Sequence, residues 1–538
     1  MHRKQVCNYL WNFFNNTNLK LTKFTLGLFT ILSSYVWTQE ILIPSSSIAK
    51  DKAIFSNANN AVVGNGFFPI SYTEAKLNLP EKDTTKRWIT RKLFHEHLVQ
   101  KSGSDFFLAI DPLLNTSIGK EALQNSNDYL FQNTRGAQAF GHLNDKLSFY
   151  TAFYENQARF VRYQSEYFSD RGELYPQAFA PQNAVIPGGG RTKPFKNTGY
   201  DYASSVSYIR LKPIDQLTIQ YGNAPRFYGW GYRSMLMSDN SHNYTNLTID
   251  WEIIDGLTYT LMRGKQLNLI RKENTTMVEA PYERKGIGLH YLSYSPTPSL
   301  VIGLFESTVY ARDYAHTSQR VSPYFYQPVI GVNTIANGTE NVDMKNLVGI
   351  NFAWQFHKNH MLYGQAMSDD FEQKEYGLQL GYRNGNIFEI QDLNFQVEAN
   401  MATSRLYAAD NERISYTHFN LPLAHTLGNG FQELIVRANY LVKGFFIDGK
   451  IVYYNANQAM EDKTMLFYTK NAELTQESVE VMNTSVQIGY ELNPATRLRA
   501  FVELNYRTSV SESIVHNVNY GVISLGIRTA LTNQYFDF

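Results

Sequence analysis

A single cysteine, Cys7, stands in a chain of 538 residues. It precedes the apolar stretch near the N-terminus instead of following it, which makes it a poor lipid-attachment site. The chain beyond it has no disulfide, no thiolate metal site and no thiol nucleophile to offer. Charge of one sign is also lacking. Lys and Arg number 49 against 48 Asp and Glu, a net charge of +1, so no electrostatic footprint points to nucleic acid or a strongly acidic partner. Long apolar runs are scarce as well. Only Phe24–Trp37 comes near, and it is shorter than the ~20 residues a spanning helix needs.

Signatures of catalysis are missing too. No G-x-S-x-G elbow occurs. His95-Glu96-His97 sets its histidines at i, i+2, whereas H-E-x-x-H needs i, i+4 to place both on one helix face; it reads as polar positions on an amphipathic helix. Pro187-Gly188-Gly189-Gly190-Arg191-Thr192-Lys193 lacks phosphate-loop spacing and reads as a flexible surface loop. Carboxylates are plentiful, but their separation is not a property of sequence, so no glycosidase pair is assigned. No catalytic residue, metal ligand or cofactor is expected, and the chain is read as non-enzymatic.

Aromatic residues are abundant. Thirty-seven Tyr and 34 Phe help bring the aromatic share to 14%, yet the mean hydropathy is −0.35. That combination suits strands that turn one face to lipid and the other to a polar interior. From about residue 104 the pattern has period two. Val486, Ile488, Tyr490 and Leu492 alternate with Ser485, Gln487, Gly489 and Glu491. Val348, Ile350, Phe352, Trp354 and Phe356 alternate with Gly349, Asn351, Ala353, Gln355 and His357. Similar runs cover Tyr376–Arg383, Leu393–Asn400 and Arg497–Arg507.

Connection lengths separate a membrane barrel from a soluble sandwich. Tight turns are expected at Asn144-Asp145, Pro213–Asp215, Asp255-Gly256, Pro296–Pro298, Lys358-Asn359, Asn384–Asn386, Asp448-Gly449 and Asn493-Pro494. Long polar connections lie between them at 161–199, 224–244, 265–284, 310–344, 401–430, 457–483 and 509–518. Short turns on one side and long loops on the other are the outer-membrane pattern. Pairing the segments gives an all-β, transmembrane antiparallel barrel of about 18 strands. The last strand, through Ile523, Leu525 and Ile527, is expected to lead into Tyr535, Phe536 and Phe538 as a barrel-insertion signal. The expected lumen face collects Arg383, Arg437, Arg497, Arg499, Arg507 and Arg528 with Glu398, Glu491 and Glu503, a solvated and mutually paired lining. Doublets such as Phe149-Tyr150, Phe153-Tyr154, Phe445-Phe446 and Tyr453-Tyr454 suit interfacial girdles. Tyr324-Phe325-Tyr326 is expected in a loop, where such rings are available to stack on sugars instead.

The expected organisation has three parts. Residues 1–38, with Arg3, Lys4, Lys20 and Lys23 before the apolar run, form a signal peptide. Residues 39–103 form a short periplasmic or barrel-mouth segment with a helix over 84–100, capped by Thr84 or Thr85 and striped by Ile89/Leu93 and Phe94/Leu98. Residues 104–538 form the barrel.

The stretch Phe227-Tyr228-Gly229-Trp230-Gly231-Tyr232-Arg233-Ser234-Met235-Leu236-Met237-Ser238-Asp239-Asn240 resembles the aromatic-Gly-x-Gly … Ser-Leu-x-Leu-Ser-x-Asn segment of the Wzi-like capsule-assembly barrels. Asn133-Thr134-Arg135-Gly136 and Tyr535–Phe538 look like the gliding-motility, RemB-like branch of that family. The resemblance implies an 18-stranded barrel in the outer membrane of a Gram-negative bacterium, acting in surface polysaccharide (capsule) assembly or attachment, or in gliding. It departs from the capsule prototype in its short N-terminal helical region. Tyr228, Gly229, Trp230, Gly231, Arg233, Ser238 and Asn240 are the candidate motif, for polysaccharide contact or for packing. Expected partners are membrane lipid, the outer-membrane assembly machinery, and surface polysaccharide or motility and secretion components. Two alternatives are a general diffusion porin, which requires an open lumen, and an outer-membrane hydrolase, which requires carboxylates or a Ser/His pair converging at the extracellular mouth.

Overall fold

The computed structural model describes residues 62, 64–68, 85–124, 129–144, 146–173, 183–272, 280–314, 317–318, 322–457, 478–511, 518–529, 531 and 533–538. The expected signal peptide lies outside them. Eighteen antiparallel strands close into one barrel, each hydrogen-bonded to its sequence neighbours. They are β1 Phe106–Glu121, β2 Tyr129–Leu143, β3 Leu147–Arg159, β4 Gly199–Ile214, β5 Leu217–Asn223 and β6 Thr245–Ile254. Then follow β7 Leu257–Arg271, β8 Tyr282–Thr297, β9 Leu300–Ala311, β10 Met344–His357, β11 His360–Asp370 and β12 Glu375–Gly385. The last six are β13 Leu393–Ala402, β14 Phe431–Val442, β15 Phe445–Asn457, β16 Ser478–Asn493, β17 Leu498–Ser511 and β18 Val518–Arg528. Closure pairs every wall strand on both sides and removes the free edge, which is what lets strands cross lipid.

The period-two pattern becomes the two faces of the wall. Ile350, Trp354, Leu378, Leu380, Ile488, Val502, Leu504, Ile523 and Leu525 stand exposed on the outside, while Asn351, Gln355, Gln379, Gln396, Glu398, Asn400 and Gln487 are buried inside. The aromatic doublets do not form girdles as units. Phe153, Phe445 and Tyr453 face outward, whereas Tyr150, Tyr154, Phe446 and Tyr454 are buried in the lumen, because neighbouring residues on a strand point to opposite faces.

The turns fall on one side and the long connections on the other, with one correction. Asp448 and Gly449 lie inside β15, paired with Gln487 and Val486. The hairpin turn is Lys443-Gly444, whose φ values of 48° and 88° give the left-handed pair that a two-residue hairpin needs. Arg497 likewise sits in a turn, with φ 53°, and not on the lumen face.

The seam joins β18 to β1 through Arg528↔Asn115 to Val522↔Glu121. Farther along β1 the same edge is filled by Val99–Ser102, paired as Val99↔Ile110 to Ser102↔Phe107. The helix expected over 84–100 is therefore shorter: α1 spans Trp88–Phe94 without a side-chain cap, and the residues after it extend into this seam strand. Its polar side faces the barrel rim. Glu96 pairs with Lys92 at 3.0 Å, and the Asn493 side-chain amide donates to the Lys92 and Glu96 carbonyls. Ile89 and Leu93 remain exposed. His97, beyond the helix, meets Asp111 of β1 at 2.6 Å.

Leu304 on β9 marks the lipid face. Leu304→Arg is expected to lower stability by ~2–4 kcal/mol, the cost of a cation near the bilayer midplane. Reversible urea unfolding in vesicles measures it; a change below ~1 kcal/mol would contradict the assignment of faces.

Candidate functional site

The barrel interior is filled by segments that fold back into it. The β5–β6 connection, 224–244, contains the motif singled out above. It enters the lumen through a two-residue strand pair, Phe67↔Tyr228 and Phe68↔Phe227, formed with the N-terminal segment. Tyr228 and Trp230 are 0% and 1% exposed, so both rings are enclosed by protein and neither presents a face to a ligand. The glycines explain how they fit. Gly229 has φ 107°, and a Cβ there would overlap the Gln365 amide. A Cβ on Gly231 would lie 2.6 Å from a Glu398 oxygen, and one on Gly66 would lie 2.6 Å from the Trp230 ring. Gln365 on β11 holds the resulting corner, accepting from Met235 N at 2.7 Å and donating to Tyr228 O at 2.8 Å.

Arg233 lies at the centre, 1% exposed. Its guanidinium contacts Asp537 at 2.9 Å and Glu433 at 3.4 Å, with the Tyr232 and Tyr535 rings at 4.9 and 5.2 Å. Glu398 accepts from the Tyr232 and Arg233 amides at 2.7 and 3.1 Å, and from the Tyr363 hydroxyl at 2.7 Å. Asn400 bridges Glu398 and Glu433, donating to each at 2.9 Å, and His425 meets Glu433 at 2.7 Å. Lys450 and the Tyr232 hydroxyl complete the shell of Asp537 at 2.6 and 2.7 Å. Burial alone would raise the Asp537 carboxyl, but Arg233 and Lys450 outweigh it and hold the group below the usual carboxylate range. This is a dense, paired network around Arg233, which the sequence places only in part: of its members, Arg233, Glu398 and Tyr535 are singled out there, and Tyr535 for a different role.

Residues Tyr535, Phe536 and Phe538 do not continue the last strand. The final rung of the wall is Thr529 N donating to Leu114 O at 2.8 Å, and the next places along that edge of β1 belong to Val99–Ser102. Segment 533–538 turns inward instead. Asn533 and the Tyr535 hydroxyl donate to Asp239 at 2.9 and 2.8 Å. Phe538 is 4% exposed and stacks on Tyr167 at 3.6 Å between centroids. Tyr167 belongs to α2, Arg162–Asp170, in the β3–β4 connection.

Ser238 and Asn240 join the motif to a third inward segment, 403–430. Ser238 N donates to Leu423 O at 2.7 Å, its hydroxyl donates to Ala424 O, and Asn240 donates to Pro422 O at 3.2 Å. Tyr407 and Tyr416 return hydrogen bonds to Met235 O and Leu236 O at 2.7 and 3.0 Å. The glycine run at 187–190 is also buried and is not the surface loop expected of it. Val185-Ile186 pairs with Gly190-Arg191, and a Cβ on Gly188 would lie 2.9 Å from Asn533 O. Beside it, burial would raise Glu173, but hydrogen bonds from Arg191, Tyr282, Asn183 and Arg271 hold it at about 2. Among the described residues no group of three His, Asp or Glu side chains is placed to hold a metal ion.

No family model and no curated protein matches the chain. Solved structures do. The chain is similar to Wzi of Escherichia coli, described as an outer-membrane protein involved in group 1 capsule assembly and as a carbohydrate-binding β-barrel. The TM-score is 0.53 and the identity 12%, over 91% of this chain and 100% of that one. A weaker likeness is to OpdK of Pseudomonas aeruginosa with vanillate, at TM-score 0.42 and 11% identity, over 79% of this chain and 98% of that one. At these identities the first likeness establishes the shared barrel fold, and the second is too distant to bear on it.

Two outcomes are expected. Asp537→Asn leaves Arg233 and Lys450 buried with less counter-charge and is expected to cost ~3–5 kcal/mol; an unchanged urea midpoint would contradict the network's importance. The second concerns pH. Burial pushes His242 down to about 4 and holds His418 well below its ordinary value. Their folded values lie below the unfolded one, so stability falls as pH drops below ~6.5, by at most ~1.4 kcal/mol per pH unit per histidine. The protection factors of amides in 224–244 and 403–430, corrected for the intrinsic pH dependence of exchange, should therefore fall between pH 7 and pH 4, and equal protection at both would refute the assignment.

Proposed function

We propose that this chain is a non-enzymatic outer-membrane barrel that assembles or holds polysaccharide at the cell surface. The observation that carries the reading is the filled lumen. Three long connections and two terminal segments fold into the lumen, in a wall whose fold is shared with a barrel described as carbohydrate-binding. A diffusion porin needs an open, water-lined passage, and the buried Trp230, Arg233 and Phe538 occupy that space. A hydrolase needs acid and base groups facing substrate, whereas Glu398, Glu433 and Asp537 are committed to Arg233, Asn400 and Lys450.

Polysaccharide would then engage the rim formed by the long connections, and not the enclosed rings of Tyr228 and Trp230. The gliding role implied by the RemB-like resemblance is a second outlet for the same surface position. Recognition of Tyr535, Phe536 and Phe538 by assembly machinery would precede their burial in the finished barrel.

Deletion of the chain is expected to reduce capsule retention, and purified protein is expected to bind isolated surface polysaccharide. Retention and surface spreading both unchanged in the deletion strain would sink the proposal. Planar-bilayer recording is expected to show no stable conductance; discrete open-channel steps would favour the porin.

A further inference from the structure

On one stretch of the outer wall the outward positions carry polar side chains that the lipid-facing pattern does not lead one to expect. On β7, β8 and β9 the inward positions are settled by Met262, Ile287, Leu289, Tyr291, Phe305 and Val309, all in the lumen core. Arg263, His290, Glu306, Thr308 and Tyr310, of the opposite parity, therefore point outward, and Asn346 joins them from β10. Glu306 is six residues along β9 from Leu300. At ~3.4 Å per residue and a tilt of ~40°, that is roughly 15 Å above the short-turn rim. The apolar band of such a barrel is ~25 Å tall, so a carboxylate, a guanidinium and an imidazole face outward at lipid depth. Leu304 and Ile302, one and two outward positions below Glu306, are exposed.

Arg263 is half-buried and the others are buried, because the β9–β10 connection folds down over them. Arg263 donates to the Phe325 and Gln327 carbonyls and meets His290 Nε2 at 3.1 Å. The Tyr259 hydroxyl donates to Pro328 O at 2.6 Å and contacts His290 Nδ1 at 2.6 Å. That pattern fits a neutral imidazole with its proton on Nδ1. Glu306 accepts from Gly331 N at 2.6 Å, Thr334 N at 3.0 Å and the Thr334 hydroxyl at 2.7 Å. Asn333 donates to Thr308 and Tyr310 at 2.9 and 2.7 Å, and Asn346 donates to Gly338 O at 2.6 Å. The underside of the segment is thus polar and matched to the wall. Its outer side carries Tyr326 at 70%, Val329 at 55% and Ile335 at 87% exposure.

We propose that residues 322–337 form a membrane-embedded flap whose outer residues Tyr326, Val329 and Ile335 contact the acyl chains of the surrounding lipid. Irregular backbone at membrane depth is tolerated only where its polar groups are satisfied by protein, and the contacts to Arg263, Tyr259, Glu306 and Asn346 supply several of those partners. The apolar outer side continues the lipid-facing surface of Ile302, Leu304 and Ile350, which is why lipid, and not a soluble partner, is the occupant. The inference rests on the transmembrane barrel alone and is independent of any polysaccharide role.

With Cys7 replaced by Ser, single cysteines at Tyr326, Val329 and Ile335 can carry nitroxide labels in proteoliposomes. Labels at Leu304 and Glu372 serve as lipid and aqueous references. Oxygen should quench the flap labels far more than a water-soluble nickel chelate does, matching Leu304→Cys. Nickel accessibility equal to that of Glu372→Cys would overturn the proposal. Protection from both reagents would overturn it as well, because it would mean that a protein partner or a second copy covers the flap. A second measurement replaces 322–337 with a short Gly-Ser linker. Folding into vesicles should fall at least tenfold in yield and be restored by Arg263→Leu, His290→Leu and Glu306→Leu together. Full yield without these three changes would overturn the proposal.

Discussion

The buried guanidinium of Arg233 is the interaction on which the interior depends. A cation taken out of water is tolerated only with close counter-charge. Here the required groups come from far apart in the chain: Asp537 from the segment after β18, Glu433 from β14, and Glu398, which holds the Arg233 amide, from β13. Pairing this one charge therefore fixes the entry of 224–244, the path of 533–538 and the faces of two wall strands. The aromatic packing follows from this arrangement. Tyr535 reaches Asp239 and Phe538 reaches Tyr167 because Asp537 is anchored between them.

The wall was largely legible in the sequence, because a barrel strand needs only period two, and its faces can be read residue by residue. Ile350 and Ile488 lie outside and Gln355 and Glu398 inside, as their parity required. Turns were legible where Gly, Asn or Pro marks them, but Asp448-Gly449 shows the limit. The pair has turn chemistry, yet Gly449 lies opposite Val486 within β15. The true turn at Lys443-Gly444 requires a non-glycine residue in the left-handed region, and composition alone does not announce that.

The interior was much less legible. The motif around Trp230 could be located, but whether its rings were open or enclosed depends on Gly66, Gln365 and Glu398, which are distant in sequence. The aromatic residues after β18 look like a strand ending because nothing local says that β1's edge is already occupied by Val99–Ser102. The same holds for the glycine run at 187–190, which has the composition of a mobile loop. Its glycines are instead required by close approach: a Cβ on Gly190 would lie 2.8 Å from the His242 ring.

The loops inside the wall and the segment outside it answer one physical requirement. Polar groups at membrane depth need protein partners wherever they point. Inside the wall, loops carrying Arg233, Ser238 and Asn240 meet the lining. Outside it, Gly331, Thr334 and Asn333 meet Glu306, Thr308 and Tyr310. Long connections are thus more than surface decoration on this barrel. Among the described residues, the connections 224–244, 322–337 and 403–430 each present polar groups complementary to the stretch of wall they cover. At Glu306 and His290 the polar residue at an outward position marks the loop that folds back to cover it.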